Sequence, residues 1–515
     1  MLLGSIVLLF ARLGDHSLWT DEAVTAITCV GVWQTGDTST WLDDHNLLTY
    51  RDGFLLKNQK DRYTSPLQFY LAAPFIGLIG HSTFACRLPF AICGFATVVL
   101  TLRWLRRSNP SNLMWIAATI LQLTNASFFL FQRQCRYFAL STFLSVAVAY
   151  LYCHWNGSRR QLWWIAVGMS ALLASQYLDY AAMVVCLLID HGIWGRRKRA
   201  IRSVDWLVLM IPQVLTAALV CPIWNPIARA VDIAGPVVAS THPVVAIVPQ
   251  PWLADYLRLS WWNLRDLIAC DFAVLPLLAI CPILYLKSKN LVLLRAPLAL
   301  IAFILAIAFF TAHPLPAEGN AEVRYLAPVL PLCIAIGILA VGAMRVVPLW
   351  TRGVLLALAG LAIFLQGSAL GFYSELLHTP AEPYAPLTAW INQNLPANAT
   401  VYICPDLCVA PTMWSAPKAT YVWQLSDPPR SDYRSLSDKY FKGRIPPDCL
   451  IAFGPYGDEV RHWRDHFAQT GVHYEQVATI PVYYKEMFRP ELIWRSFTTI
   501  RPVPGEEICI FRRVR

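Results

Sequence analysis

Charge is scarce in this sequence, and its scarcity excludes an ordinary soluble protein. Of 515 residues only 14% are charged and 56% are hydrophobic, whereas a soluble domain carries about 25% charge. The few charges are sparse before Phe372 and denser after it. A glycine-rich nucleotide fingerprint, a phosphate loop and an internal repeat are missing. The apolar start does not read as a signal peptide, because no basic n-region or small-residue cleavage site accompanies it. That start, Met1 to Leu13, is shorter than the roughly 20 residues a span needs. Arg12 and Asp15 end it, so it reads as an unusually short helix or one clipped by a late start. The net charge of +10 does not imply nucleic acid, since lysine and arginine on cytoplasmic loops account for it.

What remains reads as a mainly α, polytopic membrane bundle over residues 1–372, then an extracytoplasmic α/β domain over 373–515. Residues 13–83 form a polar first outer loop with interfacial helices, because Leu67–Gly80 is too short to cross a bilayer. After Met1–Leu13, further spans are expected at Phe84–Leu102, Leu113–Phe131, Tyr137–Trp155, Leu162–Gln176, Tyr180–Trp194, Val204–Trp224, Leu267–Leu286, Leu291–Thr311, Tyr325–Met344 and Val354–Phe372. This makes about eleven spans and puts Arg103, Arg106, Arg107, Arg159, Arg160, Arg196–Arg199, Lys287, Lys289, Arg345 and Arg352 in the cytoplasm. Between Asn225 and Asp266 a long outer loop carries Trp252, Trp261 and Trp262, which fit an aromatic belt or contact with a lipid substrate. In the C-terminal domain, helices are expected at Tyr384–Asn394 and Asp458–Gln469, and strands at Val401–Cys404, Cys449–Phe453 and Tyr474–Tyr483. Ten of the fourteen cysteines precede Phe372 and read as small apolar residues. Cys404, Cys408, Cys449 and Cys509 leave room for one or two disulfides outside the cytoplasm.

The chain is organised around Trp19-Thr20-Asp21-Glu22-Ala23. Thr20 can cap a helix running to about Trp33, with Asp21 and Glu22 in its first turn. They can be ordinary first-turn acids, or an acidic pair held at the membrane surface for chemistry. Neighbouring helical positions diverge by about 100°, so only one can point straight into a site. The topology puts other polar groups on the same outer side: Gln134 and Arg136 at one junction, Asp179 and Tyr180 at another, and His313, Glu318, Glu322, Arg324 and Tyr325 in the last outer loop. Groups of this kind are costly in hydrocarbon and tend to be functional, although arginine can snorkel to headgroups. Arginine suits a phosphate leaving group. A carboxylate suits activation of a hydroxyl or binding of a divalent cation. Together they suit transfer of a group from a lipid phosphate.

Ser17-Leu-Trp-Thr-Asp-Glu-Ala23, then Ser65-Pro66-Leu67-Gln-Phe-Tyr70, then Phe84-Ala-Cys-Arg87-Leu88-Pro89, resembles the membrane glycosyltransferases of the GT-C type. The nearest branch looks like bacterial relatives of protein O-mannosyltransferases and of the lipid A aminoarabinose transferase. Arg324-Tyr325-Leu-Ala-Pro328 is similar to that family's outer-loop motif. The resemblance covers about residues 8–370. It implies a polyprenyl-phosphate-linked sugar donor, an inverting displacement, and a site on the outer face of a bacterial inner membrane. By the same resemblance Asp21 is the catalytic carboxylate, with or without a divalent metal ion, and Glu22 assists it or holds the loop. Arg324 and Arg136 bind donor phosphate with Tyr325 packed nearby, and Gln134, Asp179, Tyr180, Glu322 and His313 support them. Two departures stand out. Relatives carry Glu-Ala-Arg where this chain reads Gln134-Cys135-Arg136, and a histidine where it has Asp179.

Two other readings compete. A transporter predicts mid-membrane polar residues and internal duplication, but here the polar groups gather on one outer edge. A catalytically inactive binding or assembly protein is kept open by Gln134. The acceptor (lipid, glycan or protein) is not specified by the sequence. A reporter fused after Arg515 tests the topology: it should report from outside the cytoplasm, and a cytoplasmic signal contradicts the arrangement.

Overall fold

The computed structural model describes residues 1–49, 56–107, 111–123, 125–195, 202–224, 252–271, 280–310, 323–344, 382–425, 433–482 and 507–514, with single positions at 348, 350, 353, 357 and 428. The helices are α1 (Leu2–Phe10), α2 (Thr20–Thr35), α3 (Leu67–Ile79), α4 (Thr83–Arg107), α5 (Asn112–Leu123), α6 (Ala126–Gln132), α7 (Tyr137–Cys153), α8 (Arg159–Ser175), α9 (Tyr177–Asp190), α10 (Ser203–Val220), α11 (Trp252–Asp271), α12 (Cys281–Ser288), α13 (Val292–Phe310), α14 (Val329–Ala343), α15 (Tyr384–Asn394), α16 (Val409–Ser415) and α17 (Gly457–Ala468). The strands are β1 (Thr400–Cys404), β2 (Thr420–Val422), β3 (Cys449–Phe453), β4 (Tyr474–Pro481) and β5 (Glu507–Arg513). The chain divides into two compact units. One comprises Met1–Ala11, Phe90–Ile223 and Ala230–Phe372; the other comprises Arg12–Pro89, Trp224–Arg229 and Tyr373–Arg515.

The first unit is helical. Three helices are long and apolar enough to cross a membrane: Thr83–Arg107, Tyr177–Trp194 and Val292–Phe310. The expectation of about eleven full spans is therefore corrected among the described residues. Hydropathy counts apolar residues and does not see where the backbone breaks. The run Leu113–Phe131 divides at Asn125, whose side chain accepts from the Phe128 amide at 2.8 Å and starts the new helix α6. The run from Tyr325 begins as a 3-10 turn, Val323–Leu326, so α14 has only 15 residues. Gln176, in extended conformation, separates α8 from α9. The twenty-residue helix α11 occupies the end of the expected outer loop 225–266 and runs past it to Asp271, while residues 225–251 lie outside the described ones. So do the expected span 354–372, except for position 357, and the middle of 267–286.

Within this unit α7 packs on α8, α8 on α10, and α9 on α13. Asp190 at the end of α9 pairs with Arg295 of α13 and accepts from the Tyr152 hydroxyl at 2.8 Å. Paired in this way, a carboxylate and a guanidinium can sit among apolar helices.

The second unit is built on a mixed five-stranded sheet ordered β2-β1-β3-β5-β4. β2, β1 and β3 are parallel, whereas β5 runs antiparallel to both β3 and β4. β3 is buried throughout, and β1 from its second residue on. That burial explains why both read as continuous apolar runs. α17 lays Val460 and Phe467 against Tyr402, Leu450 and Tyr474. Lys442 is also buried there, its Nζ donating to the Tyr402 hydroxyl at 2.7 Å and lying near Glu459 at 3.4 Å. Burial pushes this lysine down to about 8, against the opposing pull of Glu459. The four cysteines of this domain are unbridged. Strand register explains it for three of them: Cys404 and Cys509 both face Ala452, and Cys449 faces Arg512.

The polar stretch after Leu13 belongs to the same unit. Leu47 joins Tyr433, Tyr440 and Phe441 in one buried cluster. The Trp423 indole donates to the Leu47 carbonyl at 2.8 Å, and the Tyr440 hydroxyl donates to that of His45 at 2.8 Å. α2 packs on α3 and on α16. At Gly31 the loop crosses α2 so closely that a Cβ would stand 2.1 Å from the Ser39 carbonyl oxygen. Alanine inside a helix is ordinarily favoured over glycine by about 1 kcal/mol. Gly31→Ala should instead destabilise this unit by about 1–3 kcal/mol through overpacking. Thermal unfolding of the purified protein checks the sign, and a gain in stability contradicts the close approach.

Candidate active site

The start of α2 is fixed by one buried ion pair. The N-cap is Trp19, not Thr20, and the Glu22 side chain reaches back to accept from the Trp19 amide at 3.4 Å. Glu22 is fully buried. Arg87, near the start of α4, meets it with two bonds: Nε to Oε1 at 2.9 Å and Nη2 to Oε2 at 2.6 Å. The same guanidinium donates to the carbonyls of Leu13 at 3.2 Å, His16 at 3.1 Å and Ser17 at 3.0 Å. A guanidinium has five N–H donors, and here each of the five has an acceptor. The segment leading into α2 is thereby tied to the helix it begins.

Thr20, released from capping, donates its hydroxyl to the Leu407 carbonyl at 2.9 Å. Ser17 donates both its amide, at 3.1 Å, and its hydroxyl, at 2.6 Å, to Oε1 of Glu382. Directly after these fixed points comes Asp21, partly exposed in the first turn of α2. The two neighbouring acids therefore differ: Glu22 is fully buried and Asp21 is partly exposed. A negative charge in this turn also suits the positive end of the helix.

A second ionic group lies in the same unit. Asp37 accepts from Lys60 Nζ at 2.6 Å and from both terminal nitrogens of Arg62, at 2.8 and 2.7 Å. Burial pushes its carboxyl up, but the bonds from Arg62 and Lys60 outweigh this and hold it well below the usual carboxylate range. Arg62 also lies over the Trp224 ring at 5.3 Å. These contacts brace the segment between α2 and α3.

The remaining candidates belong to the helical unit. Asp179 is buried at the start of α9, and its Oδ1 has no hydrogen-bond partner among the described residues. The Tyr180 hydroxyl donates to Gln213 at 2.8 Å. Gln134 is buried with its Oε1 unpartnered among the described residues. The Arg136 guanidinium lies over the Tyr137 ring at 5.3 Å. Arg133 donates to the carbonyls of Leu8, at 2.6 Å, and Ala11, at 2.7 Å, closing the end of α1. Tyr325 lies in the turn Val323–Leu326. The backbone of Arg324 lies there too, but its side chain is outside the described residues, as are His313, Glu318 and Glu322.

Sequence reading gave no role to Arg87, Glu382 or the Asp37 group. Their partners are far away in sequence, so no local spacing marks them. Among the described residues no three His, Cys, Asp or Glu side chains gather as a metal-binding set. With Glu22 occupied by Arg87, the neighbour of Asp21 is not a spare ligand.

The chain matches no family model, and no curated protein is similar to it by sequence. By structure it is similar to ArnT from Cupriavidus metallidurans bound to undecaprenyl phosphate, at 15% identity and a TM-score of 0.55, covering 98% of this chain and 96% of that one. The apo state of the same protein matches at 14% identity and a TM-score of 0.54, with the same coverage. The oligosaccharyltransferase of Archaeoglobus fulgidus in complex with Zn and sulfate matches at 12% identity and a TM-score of 0.50, covering 90% of this chain and 69% of that one. The chain has the fold of the GT-C membrane glycosyltransferases.

Proposed function

We propose that the chain is a glycosyltransferase that moves a sugar from a polyprenyl-phosphate donor to an acceptor hydroxyl at the outer face of the membrane. The observation that carries this reading is the difference between the two acids at the start of α2, Glu22 buried and paired with Arg87 and Asp21 partly exposed. The fold shared with an undecaprenyl-phosphate-bound protein over 98% of the chain supports it.

In this reading Asp21 accepts a hydrogen bond from the acceptor hydroxyl and orients its oxygen toward the anomeric carbon. The acceptor oxygen forms the new bond to that carbon as the bond to the phosphate oxygen breaks. The bonding pair leaves with the phosphate, the hydroxyl proton passes to Asp21, and the anomeric centre inverts. Arg324 and Arg136 stabilise the charge that grows on the departing phosphate. In the same proposal Tyr325, Gln134, Asp179, Tyr180, Glu322 and His313 take supporting roles. Arg87 and Glu22 hold Asp21 in place.

Reconstituted protein offered labelled polyprenyl-phosphate sugars and a membrane extract tests the assignment. Asp21→Asn should lower transfer by about 10²-fold or more with unchanged thermal stability. Glu22→Ala should instead cost about 3–5 kcal/mol of stability, because it leaves Arg87 buried without its counter-charge. Wild-type transfer by folded Asp21→Asn protein sinks the reading.

A further inference from the structure

We propose that Glu382, on the approach to α15, is a positioning residue that sets where Asp21 stands. The inference rests on the role given to Asp21 above and concerns what holds that residue in register.

The segment from Leu13 to Trp19 needs its carbonyls and its amides held. Arg87 supplies donors only, and it takes the carbonyls of Leu13, His16 and Ser17. Glu382 supplies the complementary acceptor, with Oε1 receiving the Ser17 amide at 3.1 Å and the Ser17 hydroxyl at 2.6 Å. Ser17 is thus gripped on both sides, its carbonyl by a cation and its N–H and O–H by an anion. Beyond Ser17, the Thr20 hydroxyl is tied to Leu407, in the turn that follows β1. Asp21 comes directly after that tie. Both anchors come from the C-terminal part of the chain.

Glu382 is costly to keep here. Burial pushes its carboxyl up, and the two bonds from Ser17 only partly offset this. A tie of this kind matters to rate because a misplacement of about 1 Å at a reacting group can cost about 10²-fold. Both bonds end on one oxygen, which a glutamine carbonyl can replace.

The test compares Glu382→Ala, Glu382→Gln and Ser17→Ala in the full-length reconstituted protein. Glu382→Ala should lower kcat by about 10-fold or more with donor KM within about twofold. Glu382→Gln should restore kcat to within about threefold of wild type. Ser17→Ala combined with Glu382→Ala should be no slower than Glu382→Ala alone. Amide exchange read by mass spectrometry provides a second, activity-independent measure. Glu382→Ala should speed exchange over residues 14–22 by about 10-fold while leaving β1 and β3 unchanged. Wild-type kcat in Glu382→Ala, or no rescue by glutamine, overturns the proposal. Unchanged exchange over residues 14–22 overturns it even if the wild type transfers no sugar, an outcome that by itself defeats only the glycosyltransferase reading.

Discussion

A single guanidinium governs the part of the molecule that carries the candidate acid. Arg87 uses all five donors, two on Glu22 and three on the carbonyls of Leu13, His16 and Ser17. The fully buried Glu22 carboxylate and its largely buried partner are tolerated only when paired and hydrogen-bonded. The satisfaction of Arg87 is thus a condition for the segment to fold as it does. Only a planar fork meets a carboxylate with two bonds and reaches three carbonyls as well. From that condition follow the entry into α2, the burial of Glu22 and the partial exposure of Asp21.

The same segment is held by the C-terminal part of the chain. Glu382 and Leu407 receive the Ser17 and Thr20 groups that Arg87 does not reach. Leu47 and the His45 carbonyl make further contacts of this kind between α2 and α3, with Tyr433, Tyr440 and Phe441. A domain that reads in sequence as a separate module therefore contributes to the geometry around Asp21.

Much of this was legible in the sequence, and the rest was not, for physical reasons. The adjacency of Asp21 and Glu22 in a first helical turn is a local feature, and so are the apolar runs of β1 and β3. β2 has three residues and β5 reads Glu-Ile-Cys-Ile-Phe-Arg-Arg, so neither gives a strong period. Thr20 looked like a cap because local chemistry favours it, but a distant carbonyl at Leu407 draws its hydroxyl away. The roles of the two acids could not be separated from sequence, since the residue that separates them lies 65 positions away. Hydropathy located the membrane region, yet breaks such as Asn125 shortened its helices.

Arg87→Lys probes the central claim most directly, because it keeps the charge and removes the fork. Lysine has three donors on one nitrogen and cannot serve Glu22 and three carbonyls together. The account predicts that thermal stability and sugar transfer fall together in this variant. Stability and transfer both equal to wild type would contradict it.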